Sequence, residues 1–294
     1  MPGSQTLTAE LGRLDVELQK YAALGAALRL KIANLAAPPE VAASLADAIE
    51  SVLPGGLDGL TPDEMTSALN GVIYELEDAK ELLRDSARPP VWCIDDPAVL
   101  QSIGDRSRLF ARRIVALAAS HPQLAQALTG RFLDVGTGVA AIALEAAERC
   151  PVLEIVGLEI WEPSLALARA NVAASPFASR IEIRKQSITE LDERASYTLA
   201  FLPTSFMGRA VVETALERLS AAISPGGYLV VAAYMPPSDK TAAALMELRR
   251  VRSGGFAWTS ESISAAIASR GFTAIEAQPP PGQGVGPTLF LARR

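Results

Sequence analysis

One stretch of this chain carries its strongest structural signal: Arg131-Phe132-Leu133-Asp134-Val135-Gly136-Thr137-Gly138-Val139-Ala140-Ala141-Ile142. Its first part, Phe132 to Val135, is a short apolar run broken by one carboxylate, which is typical of a buried parallel strand. Gly136 and Gly138 predict a tight turn that lets a ligand approach the backbone. Residues 139–149 have high helix propensity, so a helix is expected directly after the glycines. A strand, a glycine turn and a helix N-terminus in this order indicate a site for a nucleotide-like ligand.

Two classes of protein use such a turn, and one residue distinguishes them. The glycines and Ala141 fit G-x-G-x-x-A, a pattern that dinucleotide-dependent dehydrogenases also carry. Asp134, however, stands two residues before Gly136 and is expected at the mouth of the site. A carboxylate there would repel a pyrophosphate and attract a ligand that carries an ammonium and a sulfonium group, as S-adenosylmethionine does. The segment 133–138 resembles motif I of the class I S-adenosylmethionine-dependent methyltransferases, and this resemblance is the leading hypothesis.

Composition limits the alternatives. At 294 residues the chain is expected to form two domains, and 49% hydrophobic with 20% charged residues is sufficient for a packed core. The net charge of −6 provides no general attraction to nucleic acid or to an anionic membrane. Two cysteines are too few for a disulfide framework, which favours a reducing cytoplasm. Residues 1–10 lack a signal-type apolar core, and no uncharged apolar run reaches the ~20 residues of a membrane span. No metal site is expected.

Residues 1–88 are expected to form an all-helical N-terminal domain. A heptad runs through residues 5–36, with one apolar series and a companion series that has its single gap at Gly25. The first series is Leu7, Leu14, Tyr21, Leu28 and Leu35, and the second is Leu11, Leu18 and Ile32. This seam fits either a helix that packs on a second subunit to give a homodimer or an amphipathic helix that faces its own domain. Further helices are predicted over 41–52 and 61–84.

Pro89-Pro90 marks a boundary, and residues 89–130 are expected to form a helical connector with helices over 98–118 and 121–129. In the family that motif I resembles, the segment before this motif often packs across the cofactor mouth. The resemblance therefore implies that Gln101 and Arg108 face the methionine end of the cofactor, although surface or packing positions are the alternative for each.

From residue 131 to 294, short apolar runs alternate with helical patterns, which predicts a parallel α/β sheet. The last two strands, joined by the loop from Pro279 to Pro287, are expected to form a hairpin-like edge, as in the family. The resemblance implies a seven-stranded, mostly parallel Rossmann-like sheet with helices on both faces. The predicted strands are 132–135, 152–158, 181–184, 197–202, 228–234, 272–277 and 288–292.

Glu159 lies 23 residues after Gly136, at the carboxyl end of the predicted second strand. A carboxylate at this position can accept hydrogen bonds from both hydroxyls of a ribose. Residues 156–171 are similar to the second motif of the family, which implies that Ile160 lies against the adenine. The Pro225-Gly226-Gly227 turn, which the family also has, completes a set of motifs that covers roughly residues 125–294.

Two further turns complete the expected cofactor site. In the family, the turn after the third strand carries a polar side chain for the adenine amino group. Here this turn is Gln186-Ser187-Ile188, so the resemblance implies that Gln186 or Ser187 has that role. The loop after the fourth strand reads Leu202-Pro203-Thr204-Ser205-Phe206. Methyltransferases that act on base amines or glutamine amides carry Asn or Asp before Pro-Pro and an aromatic residue at this point. Leu202 cannot hold an amine, so nucleic-acid and protein-amide acceptors are disfavoured.

Taken together, these motifs give the residues expected to bind the cofactor. They are Asp134, Gly136, Thr137, Gly138, Glu159, Ile160, Gln186, Ser187, Ile188, Leu202 and Gln101.

The methyl acceptor leaves a weaker signal. Methyl transfer depends mainly on alignment, and a general base is needed only if the nucleophile arrives protonated. The only histidine, His121, is expected at a helix start, so no histidine base is identified and the catalytic residues stay open. An apolar acceptor pocket is expected from side chains near strand ends or the helical cap. These are Trp92, Trp161, Phe206, Met207 and Tyr234.

The sequence therefore favours a bacterial, cytoplasmic methyltransferase that acts on a small metabolite or natural product, with S-adenosylmethionine as cofactor. One alternative is an NAD-dependent oxidoreductase that uses the same glycine turn. The other is a non-catalytic module that keeps the fold for assembly through the heptad helix.

Overall fold

The computed structural model describes residues 4–281 and 286–294, with side chains from residue 6 onward. The chain divides into two compact units, one ending at Ser86 and the other beginning at Ala87. Among the residues described, no helix combines the length and the apolar character needed to cross a bilayer.

The first unit is helical, as predicted. It contains α1 (Ser4–Ile32), α2 (Pro39–Val52) and α3 (Pro62–Arg84). Its buried core has one side chain from each helix and one from the α2–α3 loop: Leu28, Ile49, Leu57 and Met65. Helix α3 begins at a capping box in which Thr61 and Glu64 satisfy each other's backbone N–H groups, followed by Pro62 at the first helical position. Local sequence signals therefore place this helix without help from distant contacts.

Gly25, the gap in the heptad, lies where α1 and α3 come closest. A Cβ at this position would lie 2.7 Å from Cγ1 of Val72, so only glycine permits the approach. Around and beyond this point α1 packs on its own unit, with Leu28 fully buried. Before it, residues 6–19 are exposed throughout. The interpretation of the heptad as a helix that faces its own domain therefore holds for the second half of α1, whereas the first half leaves its apolar residues exposed.

The second unit begins with α4 (Pro97–Ala118) and α5 (Pro122–Ala127). Strands and helices then alternate, and every predicted strand is present. They are β1 (Arg131–Val135), α6 (Ala141–Arg149), β2 (Glu154–Glu159), α7 (Glu162–Ala173), β3 (Ile181–Lys185), β4 (Tyr197–Pro203), α8 (Arg209–Ala222), β5 (Ile223–Ala233), α9 (Lys240–Arg252), α10 (Ser260–Ala268), β6 (Thr273–Gln278) and β7 (Thr288–Arg293).

The strands of the described chain form one seven-stranded sheet in the order β3-β2-β1-β4-β5-β7-β6. All neighbours are parallel except β7, which lies antiparallel between β5 and β6. This confirms the predicted fold class and its hairpin-like edge; part of the connecting loop, residues 282–285, lies outside the described residues. The strand order reverses beside β1, and ligands of open α/β sheets bind at the carboxyl ends of the strands at such a point.

Apolar cores lie on both faces of the sheet. On one face, side chains from α4, α5, α6 and α7 pack on the sheet, and on the other face side chains from α8 and α10 do so. Strand β5 begins at Ile223, five residues before the predicted Tyr228. The reason is that Tyr197 pairs with Ile223, and a register shift then brings Leu199 opposite Tyr228 across the glycine turn. Helices on both faces leave the carboxyl ends of β1, β2 and β4 as the edge where a site can form.

Candidate functional site

The glycine turn after β1 has a backbone that few residues tolerate. Gly136, Gly138 and Ala140 all have positive φ, of 63°, 59° and 65°. Helix α6 therefore begins at Ala141 and not, as predicted, directly after the glycines, because the left-handed Ala140 cannot join the helix. A Cβ added at Gly138 would meet nothing within 4 Å, so this face of the turn borders open space. The turn thus presents bare backbone to a ligand.

Asp134 lies beneath this turn and is fully buried, which corrects the expectation of a carboxylate at an open mouth. One carboxylate oxygen accepts a hydrogen bond from the Thr137 hydroxyl at 2.6 Å, and Oδ1 has no partner in the described structure. Thr137 itself packs so closely on β2 that a Cβ at Gly157 would lie 2.9 Å from it. Burial raises the pKa of Asp134 to about 7, the Thr137 hydrogen bond opposes this rise, and the nearby Glu159 adds to it. The group is therefore poised to change its charge near neutral pH.

Glu159 ends β2 beside the same turn. Its Oε2 accepts from the backbone N–H of Gly138 at 2.9 Å, and its Oε1 accepts from the N–H groups of Ile160 and Trp161, both at 2.8 Å. Burial raises the pKa of this carboxyl, and the three backbone hydrogen bonds lower it in part. The carboxylate thus joins the two turns, and its further lone pairs can accept hydroxyl donors. Ile160 exposes 65% of its surface next to it, as an apolar face for a planar ring requires.

A segment that we call the strap, residues 88–96, runs along this edge of the unit. At one end, the N–H of Val91 and the Arg88 guanidinium both donate to the carbonyl of Arg252, at 3.0 and 3.1 Å. In the middle, the Trp92 ring lies 4.6 Å from that of Phe206. Near the other end, the Trp161 indole N–H donates to the carbonyl of Ile94 at 2.6 Å. The strap therefore connects the loops that follow β2 and β4 with the C-terminal end of α9.

The residues predicted to line an acceptor pocket fall mostly around this strap. The Trp92 ring packs on that of Phe206 at a tilted angle, and Met207 reaches the glycine turn, since a Cβ at Gly136 would lie 3.6 Å from its Cε. Tyr234 follows β5 and is 41% exposed. Trp161 differs from the others because its hydrogen bonds go to the strap and to Glu159.

Three expected residues take other positions. The Gln101 amide pairs with that of Asn171, which in turn donates to the carbonyl of Val139, so Gln101 supports the glycine turn through Asn171. Arg108 forms ion pairs with Asp105 and with the buried Glu145, on the α4–α6 face. Leu202 is fully buried in the core on the α8 face, because side chains alternate between the two faces of the sheet along β4 and this one points to the helices.

The turn after β3 is held by local contacts. The Ser187 hydroxyl accepts from the N–H of Thr189, and Glu190 accepts from the N–H of Ser187. Ile188 is buried between this turn and the α8 face, whereas Gln186 is half-buried with one long contact to the Glu190 carbonyl. His121 stands between α4 and α5 and contacts the Leu117 carbonyl and Glu276, so it serves a helix end. No group of three or more metal-ligating side chains is found among residues 4–281 and 286–294.

These features fit a ribose-bearing cationic ligand. The open space at Gly138 admits a ligand against bare backbone, the unpaired Oδ1 of Asp134 leaves negative charge available beneath it, and Glu159 offers acceptors for hydroxyls. Sequence analysis found these residues. It missed the hydrogen bonds of Asn171 with Gln101 and of the Trp161 indole with Ile94, because each joins segments about 70 residues apart.

A model of the methyltransferase domain family matches residues 132–227, from β1 into β5, which include the glycine turn, Glu159 and the turn after β3. Residues 132–227 thus match a methyltransferase domain, within the seven-stranded sheet expected of class I methyltransferases. Such domains use S-adenosylmethionine, which confirms the cofactor expected from motif I.

Relatives of this methyltransferase domain agree with the match. A ubiquinone/menaquinone biosynthesis C-methyltransferase, UbiE, from Geobacter sulfurreducens is 33% identical over 116 residues, 38% of this chain and 44% of that protein. A tRNA1(Val) (adenine(37)-N6)-methyltransferase from Porphyromonas gingivalis is 47% identical over 58 residues, 20% of this chain and 23% of that protein. The chain thus spans less than half the length of these relatives.

Among solved structures, human N-acetylserotonin methyltransferase, in complex with S-adenosylmethionine, superposes with a TM-score of 0.67 over 99% of both chains. The identity is 15%, so this likeness concerns the fold, including a helical part before the methyltransferase domain.

Proposed function

We propose that this protein transfers the methyl group of S-adenosylmethionine to a small-molecule acceptor. The observation that carries this proposal is the arrangement of the glycine turn, Asp134 and Glu159 within the methyltransferase domain. The cofactor supplies a methyl group on a sulfonium, activated for in-line displacement by a nucleophile. The protein's part is alignment: the Gly136–Gly138 backbone and Glu159 hold the cofactor, with Ile160 against its adenine and Gln186 to Ile188 closing the far side.

A small apolar acceptor is supported by the rim of the site. Trp92, Phe206 and Met207 form an aromatic and thioether surface beside the turn, with Tyr234 on the neighbouring strand end. A base amine is less well supported, because Leu202, at the position where amine-methylating enzymes hold an NH₂ group, is fully buried. The net charge of −6 gives no general attraction to RNA. The two cysteines are unpaired, which supports a reducing, cytoplasmic setting.

The test is calorimetric titration of the purified protein with S-adenosylmethionine and, separately, with NADH. We expect saturable 1:1 binding of S-adenosylmethionine and none of NADH, because a dinucleotide would bring its pyrophosphate to the glycine turn above the Asp134 carboxylate. Binding of NADH in preference would establish the oxidoreductase alternative. Binding of neither would establish the assembly module.

We further propose that the exposed half of α1 pairs with a second copy of the chain. Its seam exposes one leucine per turn, with each side chain about half exposed or more: Leu7, Leu11, Leu14 and Leu18. The ion pairs Glu10–Arg13 and Glu17–Lys20 lie along the same helix. The a/d spacing of these leucines is self-complementary, so an identical helix is the occupant that it fits.

The double variant Leu11→Glu/Leu18→Glu should convert the dimer to a monomer in light scattering or sedimentation. Each buried leucine contributes about 1.5–3 kcal/mol, and each subunit loses two. Leu83→Glu, at an exposed leucine of α3, is the matched control and should stay dimeric. A wild-type protein that is already monomeric would contradict the pairing.

A further inference from the structure

Trp161 holds an unusual position between two parts of the candidate site. Its backbone N–H donates to Oε1 of Glu159 at 2.8 Å, and its carbonyl accepts from Leu165 in the first turn of α7. Its indole N–H donates to the carbonyl of Ile94 in the strap at 2.6 Å. One residue therefore contacts the ribose-binding carboxylate, a helix N-terminus and the strap.

The strap residue that receives this hydrogen bond is itself packed on the glycine turn. The Ile94 side chain lies against a small cluster formed by Leu100, Val139 and Ala141, together with Trp92. Val139 directly follows Gly138, and Ala141 begins α6. The carbonyl of Ile94 is thus tied to the β2–α7 turn while its side chain rests on the β1–α6 turn. These are the two turns that Glu159 joins from below.

The indole hydrogen bond is well placed to be energetically significant. Trp161 is half-buried, and a carbonyl–indole distance of 2.6 Å is at the short end for an N–H donor. The strap is also held at Arg252 and Phe206, by the packing of Ile94 beside the glycine turn, and by Asp96, whose carboxylate accepts from the first N–H groups of α4. The indole bond is the hydrogen bond that ties the strap to the β2–α7 turn in the described structure, so its loss would uncouple the strap from the turn that carries Glu159.

We propose that Trp161 is a positioning residue that latches the strap to the ribose-binding turn, so that the strap and the Glu159 carboxylate become ordered together when the cofactor binds. This inference rests on the proposed cofactor site. Trp161 links the Glu159 carboxylate to the Ile94 carbonyl through its backbone N–H and its indole N–H. A ligand that holds Glu159 in place would therefore also hold Ile94 in place. The strap in turn restricts escape of the cofactor from the edge.

The test compares Trp161→Phe, which keeps a ring and removes the N–H, with the wild-type protein. S-adenosylhomocysteine is the probe, measured by calorimetry and by hydrogen exchange of residues 91–95. In the wild type, the probe should slow exchange in this segment. In the variant, affinity should fall about five- to tenfold, the scale of one hydrogen bond, and protection of the strap should be lost while protection of residues 136–142 persists.

Trp258→Phe provides the matched control. It makes the same exchange of ring at an indole whose Nε1 has no hydrogen-bond partner in the described structure, so affinity and strap protection should match the wild type. A purely structural role for Trp161 would lower the melting temperature without separating strap protection from turn protection. If Trp161→Phe retains wild-type affinity or strap protection, the latch is overturned while the cofactor site stands. If the wild type does not bind the probe, the proposed function itself fails.

Discussion

Replacement of Glu159 by alanine should weaken S-adenosylmethionine binding by about 1–3 kcal/mol, or roughly 5- to 150-fold. The variant removes the acceptor proposed for the ribose hydroxyls. It also leaves the N–H groups of Gly138, Ile160 and Trp161 without their partner, which loosens both turns. Calorimetry with each variant measures the loss, at a temperature where a melting curve shows the protein to be folded.

Two further variants sharpen this result. Glu159→Gln keeps the shape but sets an amide N–H₂ against at least one backbone N–H, because both carboxylate oxygens accept from the backbone. It should therefore weaken binding almost as much as alanine. Glu154→Ala, at the exposed opposite end of β2, is the matched control and should bind like the wild type. Wild-type affinity in the alanine variant would remove Glu159 from the site.

The second large effect concerns pH. Asp134 has a pKa of about 7 in the folded protein because of its burial, against an ordinary value of 3.8. A cationic ligand above it favours the ionised form, so binding below pH 7 must release a proton. The affinity for S-adenosylmethionine should therefore rise up to tenfold per pH unit as the pH approaches 7 and level off above it. Titration in buffers of different ionisation enthalpy should count about one released proton at pH 6 and about none at pH 8.

Asp134→Asn supplies the control, since the ligand's own groups titrate equally with both proteins. Its affinity should be weaker at pH 8 and should lack the pH-dependent proton release.

The raised pKa of Asp134 also determines how the stability of the folded protein changes with pH. Between about pH 4 and 7 the folded form keeps a proton on Asp134 that the unfolded form has already lost. This group therefore makes the protein less stable as the pH rises through that window, by an amount on the order of 4 kcal/mol. In the binding titration, equal proton release by the wild type and by Asp134→Asn would contradict the assignment of the released proton to Asp134.

The fold could be predicted from sequence because its signals are local. Alternation of short apolar runs with helical patterns gave every strand of the sheet, and Thr61-Pro62 with Glu64 marked the start of α3. Motif I and Glu159 were likewise recognisable from residue type and spacing. The match of residues 132–227 to the methyltransferase domain confirms the family that motif I indicated, while the role of Glu159 stays a prediction.

The parts that sequence analysis missed depend on tertiary contacts. Alanine rarely adopts positive φ, so nothing in the sequence indicated that Ala140 would delay the start of α6. The burial of Asp134 depends on Thr137 folding back over it, and the exposed half of α1 depends on where its unit's core ends. The strap is also attached through residues that are distant in sequence. Its hydrogen bonds to Trp161 and Arg252 join residues that are 67 and 164 positions apart, so no local sequence pattern can indicate them.

The most direct test of this account is a crystal structure of the protein with S-adenosylhomocysteine. We predict that the nucleoside lies along the carboxyl ends of β1 and β2, with its ribose hydroxyls on the Glu159 carboxylate, its adenine on Ile160 and its amino acid end above the Gly136–Gly138 turn. A diphosphate-bearing ligand against that turn, or S-adenosylhomocysteine bound anywhere else, would contradict it.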